Sequence, residues 1–142
     1  MRAQLEAAPE SRNWLALVQS VPGVGPLTAL ALWAWLPELG RVNRKKIASL
    51  SGTAPQPRDS GTKKGKRHVY GGRKRVRRYL YLAAMSAVRW NPVLRPCYER
   101  LLGRGKAKKV ALVAVMRRLV VILNAIVREG QPWQAERALP RQ

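Results

Sequence analysis

One serine in the middle of the chain lies among cations. Ser60 stands in the string Arg58-Asp59-Ser60-Gly61, and a second group of cations follows it: Lys63, Lys64, Lys66 and Arg67. Cations attract a phosphodiester and stabilise the charge of its transition state. A serine hydroxyl can attack the phosphorus and hold the strand as a covalent intermediate. The pattern makes Ser60 a candidate nucleophile, although a serine in a basic loop is more often structural.

A glycine turn near the start of the chain separates two apolar helical segments. Its residues are Pro22, Gly23, Val24 and Gly25. Two glycines let the backbone turn tightly and approach a ligand closely. The helix that follows presents free N–H groups and the positive end of its dipole, where a phosphate binds well. The string predicts a helix-hairpin-helix that contacts the nucleic-acid backbone through these four residues. The alternative is a turn that only packs the domain.

The charge of the chain is strongly positive and unevenly distributed. The 142 residues include 28 lysines and arginines against seven acids, a net charge of +21, and 14 of the 28 lie between Arg41 and Arg78. Clustering favours a binding surface, and phosphates are the usual partner because lysine and arginine release their counterions. Arg73 and Arg77 therefore join Arg58, Lys63, Lys64, Lys66 and Arg67 as candidate nucleic-acid ligands. A membrane surface and a ribosomal or nucleoid protein are the alternatives.

Few residues in the chain could hold a metal ion. His68 is the single histidine and has no cysteine or acid cluster around it. Cys97 is the single cysteine, so the chain can form neither an internal disulfide nor a cysteine zinc site. We predict no metal site, and a reducing bacterial cytoplasm suits the cysteine count. Tyr70, in the basic loop, is a candidate for stacking on a base.

Turn and capping signals predict an all-α domain with six helices, the last of them long and buried. The predicted helices span 11–20, 26–36, 44–50, 73–89, 91–103 and 106–128. The predicted helical domain is 11–130, with a disordered lead-in at 1–10, a basic loop at 53–72 and a frayed tail at 131–142. Asn43 is the expected cap of the third helix, and Gly130 is expected to end the last.

The last predicted helix is apolar on nearly every side, as expected for a core helix. Its apolar run contains Arg117, Arg118 and Asn124, the run at 27–36 is too short for a bilayer, and no signal-peptide pattern is present. We therefore predict a protein outside the membrane. Four polar residues of this helix form one stripe, interpreted as solvent-facing, with contact to DNA as the alternative: Lys106, Arg117, Asn124 and Arg128.

A series of strings between residues 18 and 128 resembles the C-terminal domain of the insertion-sequence transposases of the IS110 and IS116 type. The strings, in order, are PGVGPLTA (22–29), LPELGR (36–41), APQPRDSG (54–61), GGR (71–73) with Arg77 downstream, NPVL (91–94) and KKVALVA (108–114). Each string is weak by itself, and their order makes the resemblance specific.

The resemblance implies a DNA recombinase, in some members guided by a structured bridge RNA. Such proteins join an N-terminal RuvC-like domain, whose four acids bind Mg²⁺, to a C-terminal domain that supplies a serine. That serine matches Ser60, which raises it above Ser51 and Ser86 on the predicted helices. The implied partners are DNA, a guide RNA, a RuvC-like domain in cis or in trans, and a second copy of the chain.

The acids of this chain are too scattered to build the four-acid magnesium set. We therefore expect the chain to bind no cofactor itself and to be inactive without a RuvC-like domain, as a remnant or as a split partner. The alternative function is a non-catalytic helix-hairpin-helix module that binds nucleic acid.

Overall fold

The computed structural model describes residues 9–54 and 71–135, and within these ranges it contains helices and no strand. The all-α prediction is confirmed. The helices are α1 (Pro9–Gln19), α2 (Pro26–Trp35), α3 (Arg44–Leu50), α4 (Gly71–Trp90), α5 (Leu94–Gly103) and α6 (Lys108–Glu129).

The hydrophobic core is built around α6, which packs against α1, α3, α4 and α5. Its buried side includes Val115, Leu119, Val120 and Leu123. Among the described helices, α6 alone is long and apolar enough to cross a membrane, yet half of that segment is buried inside the domain. Packing against four other helices thus accounts for its apolar composition, as predicted for a core helix.

Local capping sets the ends of several helices where the sequence predicts them. The Asn43 side chain accepts a hydrogen bond from the Lys46 N–H at 2.8 Å and begins α3. Pro26 is the first residue of α2. Gly130 ends α6 with φ +67°, and its N–H donates to the Ile126 carbonyl at 2.9 Å.

The junction of α4 and α5 differs from the prediction because the Asn91 side chain lies ahead of α5 and accepts hydrogen bonds from the backbone at its start. Its Oδ1 accepts hydrogen bonds from the N–H groups of Val93 (2.9 Å) and Leu94 (3.0 Å), so α5 begins at Leu94 and not at 91. Its Nδ2 donates to the Pro22 carbonyl at 3.0 Å. The buried amide therefore ties this junction to the glycine turn.

The solvent-facing stripe predicted on α6 is wrong at Asn124. Lys106, Arg117 and Arg128 are exposed, but Asn124 is 1% exposed. Its Oδ1 accepts from the Gly40 N–H at 2.6 Å, and its Nδ2 donates to the Val42 carbonyl at 2.9 Å. The Gly40 N–H and the Val42 carbonyl both belong to the segment after α2. The buried Asn124 amide provides each of them with a hydrogen-bond partner.

The chain beyond α6 also packs against the domain. The Trp133 N–H donates to the Ser20 hydroxyl at 2.8 Å, and its half-buried ring lies against the core. The predicted frayed tail is therefore wrong at this position, since an aromatic ring gains enough burial to hold a short segment that has no helical period.

Candidate nucleic-acid interface

A groove of about 290 Å³ lies between α4 and α6, and cations form its rim. Lys74, Arg77 and Arg78 come from α4, and Lys109 comes from the first turn of α6. No acid is among the described residues that line the groove. Four positive charges with no acid between them produce a strong local attraction for an anion.

The sequence of α4 places its cations beside its buried face. At 100° per residue, positions 74, 77, 78 and 81 fall within about 100° of one another. Val76, Leu80 and Ala84 lie on the adjacent side of the helix and are fully buried. Because the buried face packs against α6, the basic face stands at the edge of that contact and forms one wall of the groove.

The floor of the groove is apolar. Tyr81, Val113 and Met116 line it, and Met116 is 1% exposed and belongs to the core. Tyr81 is 43% exposed, so part of a large aromatic side chain is accessible to a ligand. The groove therefore combines charged edges with a flat apolar surface.

Arg73, a predicted nucleic-acid ligand, forms a two-point ion pair with Glu38. Its Nη1 and Nη2 donate to the carboxylate oxygens at 3.0 and 2.7 Å, and Nη1 also donates to the Trp35 carbonyl at 3.3 Å. The Arg73 hydrogen bonds lower the pKa of Glu38, and the same hydrogen bonds raise the pKa of Arg73. The pair links the start of α4 to the end of α2. Contact of Arg73 with a phosphate stays a prediction.

Arg75 also contacts the end of α2. Its guanidinium carbon lies 4.7 Å from the centre of the Trp35 ring, within the range of a cation–π interaction. The first turns of α4 thus use two arginines for packing and present the others to the groove.

The glycine turn packs closely on α4. Gly23 has φ +108°, and a Cβ added to it would lie 2.8 Å from the Cα of Ala87. Val24 is buried. A Cβ added at Gly25, by contrast, would meet no described atom within 4 Å. The turn has a clear packing role, and contact of Pro22, Gly23, Val24 and Gly25 with nucleic acid stays a prediction.

The predicted nucleophile and most of its cations lie outside the described residues. These are Ser60, Arg58, Lys63, Lys64, Lys66 and Arg67, together with His68 and Tyr70. The segment 55–70 leads directly into Gly71, the first residue of α4. Along the chain, the predicted catalytic loop is therefore continuous with the helix that carries three of the groove cations.

Sequence reasoning named Arg77 and missed the rest of the groove. The spacing of Lys74, Arg78 and Tyr81 around Arg77 is a helical pattern that could have revealed one wall. Lys109 lies 31 positions beyond Arg78 in the sequence. Only the packing of α6 against α4 brings it to the same groove.

The weaker nucleophile candidate Ser51 is fully buried. Its hydroxyl donates to the Ala48 carbonyl at 3.1 Å and lies 3.0 Å from the Thr53 hydroxyl. These contacts close the end of α3, and they leave the Ser51 oxygen inaccessible to a substrate.

The described acids do not fit a magnesium ion. No group of three or more histidines, cysteines or acids within 9–54 and 71–135 lies close enough to hold a metal. Glu38 pairs with Arg73, and Glu99 pairs with Arg95 at 3.2 Å on α5. The described acids therefore lie too far apart to share one metal ion.

The chain is similar over most of its length to insertion-element proteins and to a pilin gene-inverting protein. The insertion element IS110 uncharacterized 43.6 kDa protein of Streptomyces coelicolor is 30% identical over 95% of this chain and 34% of its own length. The pilin gene-inverting protein of Moraxella bovis is 29% identical over 91% of this chain and 41% of its own length. The insertion element IS116 uncharacterized 44.8 kDa protein of Streptomyces clavuligerus is 32% identical over 80% of this chain and 29% of its own length.

This chain thus spans between about a third and two fifths of the first two relatives. A family model described as the Transposase IS116/IS110/IS902 family matches residues 15–99, which is more than half of the chain and includes α4. The chain belongs to the IS116/IS110/IS902 family of transposases.

Proposed function

We propose that this chain is the nucleic-acid-binding, serine-bearing part of a DNA recombinase that carries out transposition. The match of the transposase family model over residues 15–99 carries the proposal. The basic groove between α4 and α6 supports it, because its four cations suit the phosphates of a nucleic acid. DNA is the proposed substrate. A guide RNA, a RuvC-like domain and a second copy of the chain are the proposed partners.

The proposed division of labour separates binding from chemistry. The groove cations hold the nucleic-acid backbone, and Arg58, Lys63 and Lys64 hold the phosphate that reacts. The oxygen of the Ser60 hydroxyl forms a bond to phosphorus, its proton passes to a base, and a sugar oxygen leaves as an alcohol. The broken strand stays joined to the protein until a second sugar hydroxyl reverses the step.

We propose that Ser60 is activated by a group that the described residues do not supply. A serine hydroxyl is a weak nucleophile at neutral pH and needs a base or an equivalent group beside it. The proposed source of that activation is the RuvC-like domain, which would hold magnesium. We therefore expect the 142-residue chain alone to bind DNA without cleaving it.

The test compares Ser60→Ala with the unaltered protein after each is joined to the RuvC-like region of a family relative and supplied with Mg²⁺ and guide RNA. Denaturing gels of labelled DNA should show a covalent protein–DNA adduct that Ser60→Ala abolishes. DNA affinity should stay nearly unchanged, because the substitution removes a hydroxyl and no charge. Ser49→Ala, at an exposed position of α3, is the matched control and should keep the adduct.

Two results would overturn parts of this proposal. An adduct that persists in Ser60→Ala would mean that another residue is the nucleophile. Cleavage by the 142-residue chain without its partner would mean that this chain contains the whole catalytic site.

A non-catalytic binding module is the second candidate function. The scattered positions of the described acids favour it for the chain by itself. Under this alternative, the joined protein binds DNA with the same salt dependence and never forms an adduct, even with Ser60 intact.

A further inference from the structure

We infer that the groove between α4 and α6 binds an unpaired nucleotide, with its base stacked on Tyr81 and the neighbouring phosphates held by the rim cations. The inference rests on the proposed function in one respect, since both require nucleic-acid binding. Beyond that shared requirement, the groove recognises unpaired nucleic acid, and Tyr81 is the residue that distinguishes it from paired nucleic acid.

The rim determines the charge of the ligand. Lys74, Arg77, Arg78 and Lys109 stand on both sides of one opening, with no described acid among the lining residues. Lys109 lies in the first turn of α6, and the residue that precedes α6, Ala107, provides no side-chain cap. The positive end of the α6 dipole therefore reinforces the charge of Lys109. Two or more phosphates in a row suit this arrangement.

The floor determines which part of the ligand enters. The backbone of a duplex presents phosphates and sugars, and it would leave the apolar surface of Tyr81, Val113 and Met116 in contact with water. An unpaired base is flat and apolar on its faces, and it stacks well on an aromatic side chain whatever its sequence. Tyr81 is 43% exposed and shares the groove with the buried Met116, so a base stacked on Tyr81 would cover surface that is now in contact with water.

The size and rigidity of the groove favour one nucleotide. Its volume of about 290 Å³ is at the small end of ligand pockets. Both walls are long helices that pack against each other, and Leu80 of one and Leu119 of the other belong to the same hydrophobic core. A site on rigid elements loses little entropy when it binds, which favours a preformed nucleotide site. An anionic lipid also has a charged and an apolar part, but its acyl chains need more apolar surface than this groove offers.

The experiment uses the 142-residue chain and a short single-stranded oligonucleotide with one 2-aminopurine, whose fluorescence falls when the base stacks. Wild type should quench the fluorescence. Tyr81→Ala should remove the quenching and weaken single-strand affinity about 5- to 150-fold, the range for loss of one base–aromatic stack. The same variant should bind fully paired duplex within about twofold of wild type, because duplex phosphates do not need the ring.

Two control variants separate stacking from general damage. Leu82→Ala removes a large exposed side chain at the next position of α4, outside the groove, and should leave quenching unchanged. Tyr81→Phe retains the ring and should restore quenching and affinity. Circular dichroism should show folded protein in each case, since Tyr81 is partly exposed and none of these changes enlarges a cavity in the core.

The possible outcomes are distinct. Equal quenching in wild type and Tyr81→Ala would overturn the inference and leave the proposed function standing. Absence of all nucleic-acid binding would overturn both. A third outcome uses vesicles of phosphatidylserine and phosphatidylcholine. If Tyr81→Ala weakens vesicle binding but leaves oligonucleotide binding unchanged, the groove binds a lipid and the nucleotide is rejected.

Discussion

At the scale of single residues, Arg73 shows that a cation in a basic cluster can serve the fold. Its guanidinium is held by both carboxylate oxygens of Glu38 and by the Trp35 carbonyl. About a third of each side chain of the ion pair remains exposed, so water weakens the pair without removing it. The geometry still fixes where α4 starts relative to α2.

This pair should make stability depend on pH in a predictable direction. Because Arg73 lowers the folded pKa of Glu38, the pair stabilises the protein fully above the ordinary carboxyl pKa. That contribution is lost as the pH falls through the lowered folded pKa. Glu38→Gln should reduce the free energy of unfolding by about 1 kcal/mol or less at neutral pH, and the difference should vanish in acid. Urea unfolding at several pH values measures both.

The control for this prediction is Glu99→Gln. Glu99 and Arg95 form a single-contact pair at 3.2 Å with both side chains 59% exposed, so its loss should have a smaller effect. If Glu38→Gln and Glu99→Gln behave alike across the pH range, the two-point geometry of the Glu38 pair contributes nothing special.

At the scale of elements, the turn between α1 and α2 rests directly on α4. Gly23 is the contact point, since its missing Cβ leaves room for the backbone of Ala87. The Asn91 amide adds a hydrogen bond to the Pro22 carbonyl at 3.0 Å. The glycines of this turn suggest a phosphate site, but at Gly23 the close packing against α4 already explains why a glycine is needed.

Paired glycine substitutions should distinguish the two positions of this turn. Gly23→Ala forces a side chain into a positive φ and onto the Ala87 backbone, and should destabilise the fold by about 2–4 kcal/mol. Gly25→Ala places its Cβ in open space on an extended backbone of φ −97° and should change stability by about 0.5 kcal/mol or less. Thermal and urea unfolding of both variants provide the measurement. Comparable losses would show that the turn does not rest on α4.

At the scale of the whole molecule, the net charge of +21 has a concentrated part and a dispersed part. The groove gathers four cations around one opening, while others, such as Arg100 and Arg104, are exposed outside it. A dispersed charge attracts nucleic acid from a distance, and a concentrated one binds particular phosphates and releases their counterions.

Salt dependence should separate these two contributions. With about five phosphate contacts, log K for DNA that carries a single-stranded tail should fall with log salt at a slope of roughly −3.5 to −4.5. Replacing Arg77 and Arg78 by glutamine should make the slope shallower by about 1.4 to 1.8, because two contacts are lost. Replacing Arg100 and Arg104 removes the same charge and should change the slope much less. Equal changes in both pairs would argue against specific contacts in the groove.

The amino-acid sequence by itself determined the features that depend on neighbours along the chain. Helix capping by Asn43, the helix start at Pro26 and the left-handed end at Gly130 each involve groups within four residues of one another. The apolar residues on nearly every side of α6 likewise identified the core helix, because a helix that is hydrophobic all round is buried. The ordered series of family strings identified the transposase family for the same reason, since it is a property of the linear chain.

Tertiary structure decided which polar groups meet. Gly40 and Asn124 are 84 positions apart, and Arg73 and Glu38 are 35 apart, so no local period could predict that these side chains serve the fold. The groove likewise exists only because α6 brings Lys109 beside the basic face of α4. The type of a polar residue does not show whether its partner is water, a phosphate or a distant backbone group. That choice is made by packing, which removes water from some of these side chains and leaves others free to bind a ligand.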